Sequence, residues 1–298
     1  MHEDPSDPPP AAPGSHAPLP EGLVLVPTPL GNLGDVTARA VATLRAADLV
    51  LCEDTRVSAR LFAALGIAAR TAPLHEHNED ARIAATLALL RAGRRVALVS
   101  DAGTPLVSDP GYRLVRAAIA AGVRVGALPG PNAAVLALVL SGLPPLPFLM
   151  LGFPPPRAAA RRAAFAGLRA AERAGLSATL LWYEAPHRVP ETLADLAAAF
   201  GDRPAAVARE LTKRFEEVRR GSLTELAAHY AETAPRGEVT LVVGPAPEEA
   251  ADAADLDAAL RAALAGHSVR EAVALASAAT GLPRKQVYAR ALALRGGA

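Results

Sequence analysis

A single cysteine, Cys52, stands in a chain of 298 residues, so no internal disulfide can form and the composition fits a reducing compartment. Aromatic residues make up only 4% of the chain, and the mean hydropathy of +0.21 comes from abundant Ala rather than from membrane-grade segments. The longest unbroken apolar stretch, residues 133–140, falls far short of the roughly 18–20 residues that cross a bilayer, so no membrane span is expected. Residues 1–20 lack the cationic start and apolar centre of a secretion signal. They are rich in Pro, Ala, Asp and Glu, bury too little to offset chain entropy, and read, through residue 21, as a disordered tail. Missing signal and missing disulfides point together to the cytoplasm. Net charge is only +1, which excludes a global basic field of the kind that announces a nucleic-acid binder. Lysine is nearly absent too: all but Lys213 and Lys285 of the 31 basic residues are Arg. Neither G-x-G-x-x-G in the first loop nor G-x-x-x-x-G-K-[ST] anywhere is present, and dinucleotide and nucleoside-triphosphate sites lose support.

What is present is an alternation of short apolar runs and amphipathic stretches. Strands are expected at 23–26, 49–52, 96–99 and 123–128, with helices at 35–47, 55–65 and 79–92. Asp35 is expected to cap the first helix, and Asp109-Pro110 to open another that closes near Gly122. This pattern predicts a parallel α/β sheet. Six prolines between Gly142 and Pro156 mark a boundary, giving a first domain at 22–143 and a second α/β domain at 144–246. The second carries strands at 178–183, 205–208 and 238–243, helices at 157–175, 190–200 and 222–232, and some antiparallel pairing. Residues 247–298 form a helical piece, with helices at 256–264, 269–279 and 284–294; Gly281-Leu282-Pro283 separates the last two as in a helix-turn-helix.

Three Gly- and Pro-rich loops at strand ends, 26–34, 100–105 and 129–133, carry the functional signal. Ligands of open parallel sheets bind beyond the carboxyl ends of strands, where Gly lets the backbone approach closely. Each loop alone is an ordinary turn; three on successive strand ends suit a nucleoside with a cationic sulfonium, which needs neither a P-loop nor a phosphate-binding Arg. His75 and His77 flank Glu76, but no further ligands stand at metal spacing. Trp182 and Tyr183 sit on an apolar strand, Trp182 in the core and Tyr183 near a pocket edge.

The segments Val26-Pro-Thr-Pro-Leu-Gly-Asn-Leu33, Cys52-Glu-Asp-Thr-Arg56, Leu74-His-Glu-His-Asn78 and Leu98-Val-Ser-Asp-Ala-Gly-Thr-Pro105 follow one another in a known order. Asp109-Pro-Gly-Tyr112, Leu128-Pro-Gly-Pro131, Tyr183-Glu-Ala-Pro-His-Arg188 and Ala208-Arg-Glu-Leu-Thr-Lys213 continue it. From about Leu23 to Gly244 the chain resembles the small-subunit rRNA ribose 2′-O-methyltransferase family of the tetrapyrrole-methylase-like superfamily, and its helical end resembles that family's C-terminal module. The resemblance implies two α/β domains with S-adenosyl-L-methionine in the cleft between them, a homodimer, and cytidine 1402 of 16S rRNA in the small ribosomal subunit as substrate, with no DNA or membrane partner. Carried over by position, the donor pocket takes Leu30, Ala102, Gly103, Thr104, Val107, Asn132 and Ala133 from the first domain, and Glu184, Leu211 and Thr240 from the second. Asn132-Ala133 departs from the small residues that relatives often carry there.

A ribose hydroxyl is a weak acid, so a base or acceptor helps remove its proton. Asp54, Asp101 and Glu184, at expected strand ends facing the cleft, are candidates; Asp54 can instead pair with Arg56, and Asp101 can serve its own turn. Arg56, His187, Arg188 and Lys213 are candidate substrate contacts, with Arg209 and Arg214 beside them. Arg284, Lys285 and Arg290 give the last helices a basic face fit for RNA, for packing or for a dimer contact. Two other readings carry less weight, the first opposed by Cys52-Glu-Asp-Thr-Arg56, Ala208-Arg-Glu-Leu-Thr-Lys213 and the helical end, the second resting on one helix pair. A methylase of a porphyrin-like small molecule shares the fold, and a helix-turn-helix regulator with a ligand-binding body would bind duplex DNA without turnover.

Overall fold

The apolar runs of the first half become one parallel sheet because both of their faces are buried. The computed structural model describes residues 21–247, 253–280, 282 and 284–296; the expected tail before residue 21, and Gly281 and Pro283 of the expected turn, lie outside them. Strands β1 (Gly22–Leu25), β2 (Leu49–Cys52), β3 (Thr71–Pro73), β4 (Arg95–Val99) and β5 (Val125–Ala127) are ordered β3-β2-β4-β1-β5, all parallel. Side chains alternate across it. Val24, Val50, Ala97 and Val99 pack on Leu44 of α1 (Ala38–Ala46) and Phe62 of α2 (Thr55–Leu65). Leu23, Leu25, Leu51 and Leu98 pack on Leu90 of α3 (Glu79–Arg91) and Leu114 of α4 (Tyr112–Ala120). Each such side chain contributes about 1.5–3 kcal/mol on full burial.

Helix α5 (Ala133–Ser141) leaves the first sheet and lies against the second, where Ala134, Ala137 and Leu138 meet Leu181, Ala206, Ala208 and Val242. That sheet comprises β6 (Phe148–Met150), β7 (Thr179–Glu184), β8 (Pro204–Arg209), β9 (Glu217–Ser222) and β10 (Val239–Val243), ordered β6-β7-β10-β8-β9. Only β6–β7 is parallel; the other pairings are antiparallel. Its far face packs Leu180, Trp182, Val207 and Leu241 on α6 (Ala158–Arg173), α7 (Val189–Phe200) and α8 (Leu223–Glu232). A buried Arg203–Glu172 pair at 2.8 Å ties that layer together, with the same guanidinium donating to the Phe200 and Gly244 carbonyls.

Two expected helix starts are corrected. Thr37, not Asp35, caps α1, its hydroxyl accepting the Ala40 N–H at 3.1 Å, while Asp35 ends a short 3₁₀ turn. Helix α4 begins at Tyr112 behind Gly111, a position that requires glycine twice over: its φ is +117°, and a Cβ there would meet Leu98 Cδ2 at 2.6 Å. Asp109 is therefore left in the preceding loop. Strands β3, β6 and β9 have no counterpart in the sequence reading; they are three of the four edge strands, β5 being the fourth, and β9 reads Glu-Val-Arg-Arg-Gly-Ser, with charges where a core strand has apolar residues.

The described residues through Pro245 form one compact unit and those from Ala246 form another. Within the second unit, α9 (Ala253–Leu264), α10 (Val269–Thr280) and α11 (Arg284–Gly296) bury Leu256, Leu260, Val273, Ala276, Val287 and Ala291. Arg290 is held there by Asp257 through bonds of 2.6 and 2.7 Å, which removes it from the basic face shared with Arg284 and Lys285.

Candidate active site

The loops after β1, β4 and β5 are stitched to one another. Thr28 and Gly103 exchange backbone hydrogen bonds at 2.9 and 3.0 Å, and the Thr28 hydroxyl donates to the Ser100 carbonyl at 3.1 Å. The Thr104 hydroxyl donates to the Pro131 carbonyl at 2.9 Å. Gly103 takes φ +81°, and any Cβ there would press on Leu30 at 3.2 Å. Asn132 then caps α5 by accepting the Val135 N–H at 3.1 Å, so the third loop runs directly into the helix beneath the second sheet.

Between these loops and the strand ends of the second sheet lies a cavity of about 340 Å³. All ten residues named above for the donor line it, seven from the first half and three from the second. The four non-glycine residues with positive φ among the described residues, Leu106, Ser108, Glu210 and Thr212, fall in two loops around it. Backbone strain of this kind costs of order 1–3 kcal/mol per residue and persists where surrounding structure enforces it.

The lining combines apolar side chains with carboxylates and a few uncharged polar side chains, Thr104, Ser108, Asn132, Tyr183 and Thr240, and it includes no Lys, Arg or His among the described residues. Four carboxylates take part: Asp101, Asp109, Glu184 and Glu238. Glu184, at the end of β7, is fully committed. Its Oε2 accepts the Thr192 hydroxyl at 2.6 Å, its Oε1 accepts the Ala185 N–H at 2.8 Å, and Arg188 Nε stands 3.4 Å from Oε1. Glu238 lies 3.3 Å from Lys213 Nζ. Asp101 accepts the Asp54 N–H through Oδ1 at 3.1 Å, and burial raises its pKa. Asp109 is the most perturbed: burial, then the nearby charge of Glu53, push it up to about 7, with the Ser100 hydroxyl acting the other way. Glu53 is also raised, by burial and then by Asp101. The first sheet thus ends in crowded, partly dry carboxyls, Glu53, Asp101 and Asp109, in which Asp101 raises both of the others, with His75 easing only Glu53.

Asp109 had a visible signal in its Asp-Pro-Gly-Tyr segment, which a capping interpretation absorbed. Phe153 and Ser108 also line the cavity and were not singled out. Asp54 caps α2 and binds Arg56 through both oxygens, at 3.0 Å to Nε and 2.6 Å to Nη2, away from the lining. Arg56 and His187 are exposed. Arg188 and Lys213 spend their donors inside the fold. Arg188 donates to the Pro154 and Pro155 carbonyls at 2.8 and 3.0 Å, and Lys213 Nζ bonds Glu210 at 2.9 Å while its stem covers Gly31. His75 and His77 stack edge to face at 6.1 Å, and no group of three metal-ligating side chains occurs among the described residues.

Comparison with known proteins agrees with this architecture. The model of the tetrapyrrole (corrin/porphyrin) methylases matches residues 22–227, and that of the RsmI C-terminal HTH domain matches residues 250–295. Among solved structures, a cobalt precorrin-4 methyltransferase superposes with a TM-score of 0.56 at 18% identity, covering 74% of this chain and 94% of that one. Diphthine synthase gives 0.55 at 17% identity, over 74% and 89% of the two chains. Both show the fold alone. Two curated relatives are far nearer, each called ribosomal RNA small subunit methyltransferase I. That of Micromonospora olivasterospora is 51% identical over 89% of this chain and 85% of its own. That of Mesorhizobium japonicum is 47% identical over 93% and 94%. The chain belongs to the tetrapyrrole methylases and, within them, to the family of ribosomal RNA small subunit methyltransferase I.

Proposed function

We propose that this chain transfers the methyl group of S-adenosyl-L-methionine to the ribose 2′-hydroxyl of cytidine 1402 in 16S rRNA of the small ribosomal subunit. The observation that carries the reading is near-half identity, over most of the chain, to relatives named for small-subunit rRNA methylation. The cavity supports the donor: a ligand bearing positive charge and a neutral nucleoside matches a lining of carboxylates, apolar side chains and uncharged polar side chains with no Lys or Arg among the described residues. Leu30, Val107, Ala133 and Leu211 would pack against the donor's neutral parts, and Asp101 and Asp109 would face its charge. When bound, the donor supplies an electrophilic sulfonium methyl for one in-line displacement. The protein's share is then alignment, which its stitched, strained loops are built to give.

Of the three candidate proton acceptors, Asp101 keeps the role best. It lines the cavity and its Oδ2 is not among the hydrogen-bonded atoms, whereas Glu184 has both oxygens engaged and Asp54 is bound to Arg56. Arg56 and His187 are the exposed RNA contacts; Arg188 and Lys213 shape the rim. The homodimer and the cytoplasmic setting follow from the family resemblance. Incubating labelled S-adenosyl-L-methionine with small subunits from a strain lacking this gene tests the reading. Label on one cytidine ribose, located by mass spectrometry, supports it; no transfer to subunits or to free rRNA, with donor binding intact, refutes it.

A further inference from the structure

Phe153 is conspicuous in a chain so poor in aromatics. Phe62, Phe165 and Phe200 are buried in the core, and of the two strongly exposed phenylalanines Phe215 (64%) stands outside the cavity lining, whereas Phe153 lines it with 55% of its surface open. It is also held in place. Its ring meets Tyr183 at 5.7 Å between centroids, tilted by 54°. The backbone before it turns at Gly152 with φ +68°, and the prolines after it present their carbonyls to Arg188. Arg188 in turn stands against Glu184, which is 2% exposed and anchored by Thr192. A chain of buried polar contacts therefore fixes an apolar ring at the mouth of the cavity. Such a ring makes no sense as core and cannot bind a phosphate. It matches the π-face of a nucleobase, which any stacking platform accepts at low entropic cost when the platform is preorganised.

Building on the methyl-transfer reading above, we propose that Phe153 is the stacking platform for an unstacked nucleobase of the RNA, holding the target nucleotide so that its ribose reaches the cavity. Sequence-specific RNA recognition uses unstacked bases laid on aromatic rings in this way. Arg188 acts as a positioning residue for the platform rather than as a phosphate contact.

The test is steady-state methyl transfer to small subunits lacking the methyl group, alongside donor titration by calorimetry. Phe153→Ala should raise KM for the subunit roughly 5- to 150-fold, the range lost with one base–aromatic stack, and leave donor Kd within twofold. Phe153→Trp should restore most of the loss, and Phe153→Leu should not. Full activity in the Leu variant would reduce the ring to apolar filler and overturn the proposal. Donor Kd rising in step with KM would overturn it too, by giving the ring to the donor. Wild-type protein that labels neither subunits nor rRNA would refute the underlying reading, a result distinct from any variant's behaviour.

Discussion

If the carboxyls at the end of the first sheet await a cation, donor binding must depend on pH, and Asp109 sets the window. Its carboxyl, raised to about 7 by burial and by Glu53, is mostly neutral at pH 6 and mostly ionised at pH 8. A cationic donor prefers the carboxylate, so affinity rises with pH and binding below pH 7 releases a proton. Two unit charges about 4 Å apart attract by about 4 kcal/mol at an effective dielectric of 20, and roughly half of that survives desolvation, a preference of about 30-fold for the ionised form. With that preference, affinity rises about eightfold between pH 6 and pH 8. Asp109→Asn should bind about 30-fold more weakly than wild type at pH 8, only about fourfold more weakly at pH 6, and show little pH dependence between them. Isothermal calorimetry in two buffers of different ionisation enthalpy measures affinity and proton release together. A pH-independent wild-type affinity, or an Asn variant matching wild type at pH 8, would refute the reasoning.

The same carboxyl works against folding when no donor is bound. The unfolded chain ionises Asp109 near its ordinary value of 3.8, the fold only near 7, so stability falls as pH rises between them and stays low above. Asp109→Asn should raise unfolding stability at pH 8 by on the order of 1–2 kcal/mol, solvent access at the cavity mouth reducing the full shift, and by little at pH 4; scanning calorimetry of the donor-free protein, where Tm rises accordingly, checks this.

Other perturbations are sharper. Arg203→Met leaves the buried Glu172 carboxylate with only Arg169 at 3.3 Å beside it and should cost up to about 3–5 kcal/mol in urea unfolding, whereas the double change Arg203→Met with Glu172→Leu should recover part of it. Gly111→Ala forces a side chain into Leu98 and Leu106 at φ +117° and should cost at least about 2 kcal/mol while weakening donor binding through the displaced Asp109 loop. Thr192→Val removes the hydroxyl from Glu184 Oε2 and leaves a buried acceptor unmet; unfolding stability should drop by about 1–3 kcal/mol, and subunit KM should rise more than donor Kd.

How much of this was legible in the sequence depends on what held each element. Strands β1, β2 and β4 are readable because both faces of a parallel sheet are buried, which leaves four apolar residues in a row at 23–26, 49–52 and 96–99. Edge strands β3 and β9 are not, since their order comes from the neighbour's hydrogen bonds rather than from their own side chains. Helix caps failed where tertiary contact outranked local preference: Asp109-Pro110 is a good opening by propensity, but packing against Leu98 admits only glycine at 111, and the start moved to Tyr112. That displacement bears on function. An Asp spent on capping would have satisfied backbone N–H groups and kept an ordinary acidity; an Asp excluded from the helix, pressed into an apolar loop beside Glu53, becomes the most perturbed carboxyl of the cavity. The place where local sequence rules fail is thus the place where the fold holds a group in a state water would not choose, and that state is what a cationic ligand can relieve.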